Sequence, residues 1–192
     1  MDHLIHLVQL NVYRAFLANM LSLGRTSLVT CTTDLDDKDG RVLSTVNTSP
    51  RMPPALAPTL LQKSTPHAAW IDLFPLPALR DALIRAHGTY DMCALYVDVL
   101  GTIGNKTARS DGTVYRQRLS ESTSERTGVV VWGEPWRVES WELEEGFVRR
   151  WTWLLQNGCD ELLRATDRWR QFRGDDMMDW ADLGVAGQNA LL

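Results

Sequence analysis

Apolar positions near the start of the chain repeat at the spacing of a helix. They fall every three or four residues, so they form one stripe on a repeat of about 3.6 residues. Gly24 follows the stripe, and glycine commonly ends helices. The pattern predicts one amphipathic helix over residues 4–23. The stripe contains Leu7, Leu10, Leu17, Met20 and Leu21.

The helical pattern is lost between residues 25 and 58. An acidic turn at 34–40 is followed by a proline-rich stretch at 50–58. Proline and short polar residues favour turns over regular elements. We therefore expect a loop here, with at most a short strand at 42–46.

Helical patterns return in three shorter segments. Thr59–Lys63 can form a short helix, and Pro77 suits the first position of another that Gly88 would end. Residues 90–100 show the periodicity of a third. The apolar segment 66–75, which lies between the first two, is predicted to be extended or a turn.

The C-terminal half begins with a polar interruption. Residues 105–128 contain few apolar side chains, so they cannot offset their ordering entropy and are predicted to form a mobile surface loop. Ser140 is a plausible N-cap for a helix that continues to Leu155, and a further helix is predicted over 160–173. The tail at 175–192 is weakly patterned and is expected to be weakly ordered.

These elements predict a mainly α fold. A chain of 192 residues falls in the size range of one domain and can bury roughly 70% of its unfolded surface. We expect a single compact helical domain over residues 1–174, with one long polar loop and at most one or two short strands.

Composition narrows the possible environments. The net charge of −4 gives no general attraction to nucleic acid or to an anionic membrane surface. No apolar run reaches the roughly 18 residues that a membrane span needs, and the first residues lack the basic start of a secretory signal. The three cysteines form no CxxC pair and are odd in number, which favours a reducing compartment. We expect an intracellular protein, nuclear or cytoplasmic, that does not bind membranes.

Motifs for metal binding and catalysis are scarce. An EF-hand loop counted from Asp34 would place Lys38, Asp39 and Thr45 where an oxygen ligand, glycine and glutamate belong. The sequence also contains no HExxH, GxSxG or phosphate-loop motif. Cys93 and Cys159 lie in or beside predicted helices and are expected to be packing residues. We therefore predict no metal and no cofactor, and the catalytic residues, if any exist, are unknown.

Aromatic and charged residues define one candidate pocket. Five of the eight tryptophans lie within residues 132–153, which predicts either an aromatic core or a pocket for a cation or a flat ring, gated by Glu134 or Glu145. We favour core packing for the tryptophans, and for His67 a ring hydrogen-bonded to the backbone of its turn. The candidate pocket residues are His67, Trp70, Asp72, Arg80, Trp132, Glu134, Trp136, Trp141 and Glu145.

The last helices are rich in arginine. Acidic residues lie at helical spacing from several of them, so the sequence predicts a solvated face whose charges pair with one another. The predicted pairs are Glu145 with Arg149, Asp160 with Arg164, and Asp167 with Arg170. The alternative is that arginines interleaved with tryptophan stack on nucleic-acid bases.

Several strings resemble a fungal domain of unknown function that often follows a basic leucine zipper in regulators of filamentous fungi. They begin with Leu56–Gln62 and the run from Pro66 to Asp81, and continue with Val131–Trp136 and Trp151–Leu155. The likeness spans roughly residues 4–173. It implies a nuclear regulator of transcription, and some short relatives sit within biosynthetic gene clusters of specialised metabolism.

A second branch of the same group resembles arginine-containing cyclodipeptide synthases, which join amino acids delivered on tRNA. That branch carries an acidic motif of the form Asp-Asp-x-x-Glu. Here Asp36-Asp37 and Asp175-Asp176 both lack the glutamate. The basic zipper is missing too, since no Lys/Arg-rich helix precedes a leucine heptad.

The working hypothesis is a regulator of specialised-metabolite gene expression that lacks its own zipper and acts through a DNA-binding protein partner. The runner-up is a tRNA-dependent, amide-forming synthase, for which tRNA would be the partner. A third reading is a degenerate paralogue that only binds a protein. None of these readings includes direct DNA binding by the isolated chain.

Overall fold

The computed structural model describes residues 2–25, 41–43, 52–100 and 128–185. The acidic turn at 34–40 and almost all of the predicted loop at 105–128 lie outside the described residues. Within the described ranges most residues are helical, which confirms the mainly α prediction. The α-helices are α1 (Asp2–Ser22), α2 (Leu60–Ser64), α3 (Pro77–Arg85), α4 (Met92–Leu100), α5 (Glu145–Trp151) and α6 (Asp160–Arg173).

Short 3-10 helices and strands connect these helices. The 3-10 helices are Pro54–Leu56, Ala69–Leu73, Val138–Ser140 and Thr152–Leu155. The strands are β1 (Arg41–Val42), β2 (His67–Ala68), β3 (Val129–Val131) and β4 (Trp141–Leu143). They pair antiparallel as β1 with β2 and β3 with β4. The described part thus has four very short strands, more than the one or two predicted.

Local sequence explains several helix ends. The Thr59 hydroxyl accepts from the Gln62 amide at 3.1 Å, and the Gln62 side chain accepts from the Thr59 amide at 3.0 Å, a reciprocal cap that starts α2. Pro77 occupies the first turn of α3, as predicted. Gly174 ends α6 with φ of 80°, a conformation that favours glycine.

The predicted N-cap at Ser140 is wrong. Residues Trp141–Leu143 form β4, which pairs with Val129–Val131, and α5 begins only at Glu145. Three successive valines in β3 favour extended backbone and supply the partner strand. Pairing with a distant segment therefore overrides the local helical pattern.

The core is built on aromatic contacts between distant segments. Phe16 of α1 packs edge-on against Phe74 with ring centroids 5.3 Å apart, and Trp141 of β4 lies about 6 Å from each of them. Trp70 contacts Phe74 and, at 5.6 Å, Tyr96 of α4. Such tilted pairs contribute beyond the area that they bury. The cluster holds α1, α4 and the β3–β4 pair around residues 69–74.

The packed chain extends beyond the domain boundary predicted at residue 174. Met178, Trp180, Leu183 and Val185 are buried. Asp167 of α6 accepts hydrogen bonds from the Trp180 indole at 2.7 Å and from the Met178 amide at 3.0 Å. The irregular spacing of these apolar residues gives no helical or strand period, which is why the sequence predicts a weakly ordered tail.

The cysteines differ in state. Cys93 is disulfide-bonded, so the expectation of reduced, unpaired cysteines is wrong at this position. Cys159 is a free, buried thiol, and burial, with a smaller contribution from the charge of Asp160, raises its pKa to about 12. Cys159 is therefore the packing residue that the sequence predicts.

Trp151 provides a test of the core. It is 5% exposed, and its indole donates to the buried Asp98 carboxylate at 2.8 Å. We expect Trp151→Ala to lower the free energy of unfolding by about 3–5 kcal/mol through the cavity it leaves. Urea melts measure this loss, and Trp153→Ala, at a 37% exposed position, is the matched control. Equal losses in the two variants would contradict the packing described.

Candidate functional site

A buried carboxylate organises the first group of candidate residues. Asp72 lies in the 3-10 helix Ala69–Leu73 and is 3% exposed. It accepts hydrogen bonds from His67 Nε2 at 2.8 Å, from the Gln62 side chain and from the Arg25 guanidinium. Arg25 follows α1, Gln62 belongs to α2, and His67 belongs to β2. One carboxylate therefore joins three segments to its own 3-10 helix.

His67 is held on both sides of its ring. Besides the contact to Asp72, its Nδ1 lies 2.6 Å from the Thr65 carbonyl oxygen. The Thr65 carbonyl and an ionised Asp72 carboxylate are both acceptors, so this geometry favours the protonated imidazole, in which both ring nitrogens donate. Burial lowers the pKa of His67, but the bonds to Asp72 and Thr65 outweigh it and raise the pKa above 6.5. The expected backbone bond is present, and the pairing with Asp72 comes in addition.

Arg80 of α3 is a second buried cation near the same carboxylate. Its side chain is fully buried, and Nη2 donates to the Ala55 and Ala57 carbonyls, each at 3.1 Å. Its Nε and Nη1 find no partner among the described residues. Burial lowers the pKa of Arg80, and the charges of Asp72 and Asp81 oppose that shift. Arg80 therefore depends on Asp72 for part of its compensation.

The second group lies at the surface, where β3 ends. Trp132 is 41% exposed and stacks on Trp169 of α6 with centroids 5.5 Å apart. Its indole donates to the buried Glu142 carboxylate at 2.6 Å. Arg173 clamps Glu142 with two bonds of 2.6 Å, and its guanidinium carbon lies 5.4 Å from the centre of the Trp132 ring. Phe172, which is 83% exposed, meets Trp169 edge-on at 6.1 Å.

Two arginines precede Phe172 along α6 at intervals of four residues. Arg164 and Arg168 are exposed, and neither forms an ion pair with a residue in the described ranges. Arg168 donates to the Glu139 carbonyl at 3.2 Å, the same oxygen that accepts from the Trp169 indole at 2.8 Å. We name this set of residues the aromatic–arginine surface: Trp132, Arg164, Arg168, Trp169 and Phe172.

The predicted charge pairs are only partly present. Glu145 pairs with Arg149 at 2.7 Å, as predicted. Asp160 forms no ion pair with Arg164, and Asp167 binds the tail instead of Arg170. Fewer arginines of the last helices therefore form ion pairs at helical spacing than the sequence predicts.

The other candidate residues are spread over the structure. Trp70 and Trp141 are core residues, and the Trp141 indole donates to the Pro135 carbonyl at 2.9 Å. Glu134 and Glu145 are exposed, and Trp136 is partly buried in the turn before β4. An apolar cavity of about 20 Å³ beside Trp141 has room for no more than a water molecule. The structure brings His67, Asp72 and Arg80 together, with Trp70 in the same 3-10 helix as Asp72. Trp132, Trp136 and Trp141 lie elsewhere.

Several residues of both groups were not predicted from the sequence. Arg25 and Gln62 complete the shell of Asp72, and Glu142 and Arg173 fix Trp132. The sequence contains the capping pattern of Thr59 and Gln62. It gives no sign that the side-chain amide of Gln62 also donates to Asp72. Glu142 contacts residues on both sides of it in the chain, at separations of 10 and 31 residues, which no local pattern encodes.

Comparison with known proteins places the chain in a family without an assigned activity. A family model described as a domain of unknown function, DUF3425, matches residues 38–163. The chain belongs to this family. The matched part of the DUF3425 protein includes Gln62, His67, Asp72, Arg80 and Trp132. It begins after Arg25 and ends before Arg164. No curated protein and no solved structure matches the chain.

The described residues contain neither a candidate metal site nor a helix that could span a membrane. No group of three or more His, Cys, Asp or Glu side chains in these ranges could hold a metal ion. Among the same residues, no helix is both long and apolar enough to cross a membrane.

Replacing the central carboxylate tests the role of the buried cluster. Asp72→Asn leaves the cations Arg25, His67 and Arg80 without their shared counter-charge. We expect a loss of about 3–5 kcal/mol in the free energy of unfolding, the range found when one partner of a buried ion pair is removed. Denaturant melts measure the loss. Asp182→Asn, at an exposed carboxylate 3.6 Å from Arg149, should change stability by less than about 1 kcal/mol.

The raised pKa of His67 predicts a pH dependence. Its stabilising contribution is complete below the ordinary pKa of 6.5 and is lost as pH rises through the higher pKa of the folded state. We expect the free energy of unfolding to fall with rising pH across this window. His67→Gln should remove that component, so melts of both proteins at a series of pH values provide the test. Identical slopes for the two would refute the assignment.

Proposed function

We propose that this DUF3425 protein regulates specialised-metabolite gene expression in a filamentous fungus by binding a DNA-binding protein partner. The resemblance to domains that accompany basic leucine zippers supports the biological setting. The net charge of −4 gives this chain no general attraction to DNA, so the proposal assigns DNA contact to the partner. Action in the nucleus follows from this role.

The aromatic–arginine surface is the observation that carries the proposal. Most large apolar side chains of the described core are buried, whereas Trp132 and Phe172 lie next to Trp169 and remain 41% and 83% exposed. Clustered exposed aromatic residues and arginine are enriched at the centres of protein interfaces. By contrast, the Asp72 carboxylate is buried, and its hydrogen-bond donors are residues of the same chain.

Replacement of Phe172 in the organism that encodes the chain tests the regulatory role. Phe172→Ala should change the transcripts of the regulated genes in the same direction as deletion of the gene. Leu60→Ala is the matched control, because Leu60 is 84% exposed on α2 and Phe172 is 83% exposed on α6. RNA sequencing measures the outcome. Unchanged transcripts after complete deletion would overturn the proposal.

Direct DNA binding by the isolated chain is not part of this function. The net charge is −4, and acidic residues lie among the arginines of α6. We expect binding to duplex DNA no tighter than the weak non-specific range, roughly 10⁻⁴ M at physiological salt. A gel-shift assay with purified protein measures this, and sequence-selective retardation at sub-micromolar protein would restore direct DNA binding.

The second candidate function is a tRNA-dependent synthase of arginine-containing cyclic dipeptides. Exposed aromatic rings beside Arg164 and Arg168 also suit stacking on unpaired bases, which favours an RNA-using alternative. Heterologous expression followed by mass spectrometry of the medium tests it. A new cyclic dipeptide containing arginine would reverse the order of the two proposals.

A further inference from the structure

We infer that the aromatic–arginine surface binds an acidic peptide segment that carries a large apolar side chain. The inference rests on the proposed function, in which the chain acts through a protein partner, and it specifies the chemistry of that partner. Four properties of the surface support it: fixed rings, an exposed edge, arginines that form no ion pair with a described residue, and acidic neighbours that disfavour a nucleic acid.

The rings are fixed before any partner binds. Trp132 is held by its hydrogen bond to Glu142, by the guanidinium of Arg173 and by stacking on Trp169. The Trp169 indole is bonded in turn to the Glu139 carbonyl. Association is opposed by the entropy lost when side chains become ordered. Since these rings are already ordered in the free chain, little of that entropy is lost on binding.

The exposed edge of the aromatic group offers an apolar contact. Phe172 touches Trp169 edge-on and leaves 83% of its own surface in water. An apolar side chain from a partner can pack against Phe172 and the open part of Trp132 and remove both from solvent. A leucine or an aromatic residue of the partner has the required size.

The charges around the edge indicate an acidic partner. Arg164, Arg168 and Phe172 follow one another at intervals of four residues, so they form a stripe along the exposed side of α6. Neither arginine forms an ion pair with a described residue, whereas Arg173 binds Glu142 and Asp175. Carboxylates placed beside Phe172 along a peptide can therefore pair with Arg164 and Arg168 without breaking an ion pair between described residues.

The neighbouring acids favour a peptide over a nucleic acid. Glu161 is exposed one turn before Arg164. Arg168 binds the backbone carbonyl of Glu139, and the side chain of Glu139 is partly exposed. A phosphate backbone carries charge at every nucleotide and would meet these carboxylates. A peptide can place isolated carboxylates opposite the arginines alone. The negative charge of Glu142 is already compensated by Arg173.

Selection from a random library of short displayed peptides, with the purified full chain as bait, tests the inference. We expect enrichment of peptides in which Asp or Glu lies close to Leu, Phe or Trp. A labelled peptide with the enriched sequence is then measured by fluorescence anisotropy. Phe172→Ala, and separately Arg164→Glu with Arg168→Glu, should each weaken its binding about tenfold or more. The charge variant should also reduce the dependence of binding on salt.

Two control variants test whether a loss of peptide binding is specific to the aromatic–arginine surface. Leu60→Ala and Arg85→Glu change exposed residues of α2 and α3, and both should leave peptide binding unchanged. Circular dichroism of every variant should match that of the unaltered chain. No enrichment, enrichment of basic peptides, or equal loss in the controls would overturn the inference.

Two outcomes separate this inference from the proposed function. If Phe172→Ala alters transcripts but no acidic peptide is enriched, regulation stands and the acidic-peptide assignment fails. If acidic peptides bind and gene deletion leaves transcripts unchanged, the surface assignment stands and the regulatory role fails. Preferential binding of a labelled single-stranded RNA oligonucleotide at the same residues would overturn the peptide assignment and support the synthase.

Discussion

The negative charge of Asp72 is shared by more cations than it can neutralise. Arg25 and His67 bind it directly, and Arg80 lies within its field. The charge of Asp81 and backbone carbonyls add to the compensation: Arg25 also bonds to the Ala69 carbonyl at 2.8 Å, and Arg80 bonds to the Ala55 and Ala57 carbonyls. These bonds tie the cluster to the backbone at three positions between residues 53 and 74, so the buried charges also stabilise the path of the chain there.

The same chemistry recurs elsewhere with tryptophan. Glu142 accepts from Trp132 and Arg173, Asp98 accepts from Trp151 and Arg150, and Asp167 accepts from Trp180. A buried indole needs an acceptor for its N–H group, and a buried carboxylate needs donors, so each satisfies the other. This explains why a chain rich in tryptophan carries acids and arginines within its core elements. Of the three tryptophans bonded in this way, Trp151 and Trp180 are buried, whereas Trp132 is 41% exposed.

The sequence predicts those features that depend on neighbouring residues. Pro77 begins one helix and Gly174 ends another because of their own backbone preferences, and both helix boundaries were predicted. The strand Trp141–Leu143 was missed because it requires β3, and the Asp72 cluster was only partly predicted because Arg25 lies 47 residues away. The order of residues 175–185 was missed for the same reason, since side chains earlier in the chain hold them: Asp167 accepts from Trp180, and Gln156 donates to the Gly184 carbonyl at 2.9 Å.

The candidate surface and the buried cluster are joined through one side chain. Asn19 of α1 is fully buried, and its amide donates to the Leu73 carbonyl at 2.8 Å and to the Pro135 carbonyl at 3.0 Å. Leu73 adjoins Asp72, and Pro135 lies in the turn that follows Trp132 and also accepts from Trp141. Asn19 thus bridges the segment that carries Asp72 and the turn that follows Trp132. A surface held in this way can meet a partner without rearrangement, so substitutions in the cluster should act on partner binding only through the stability of the fold.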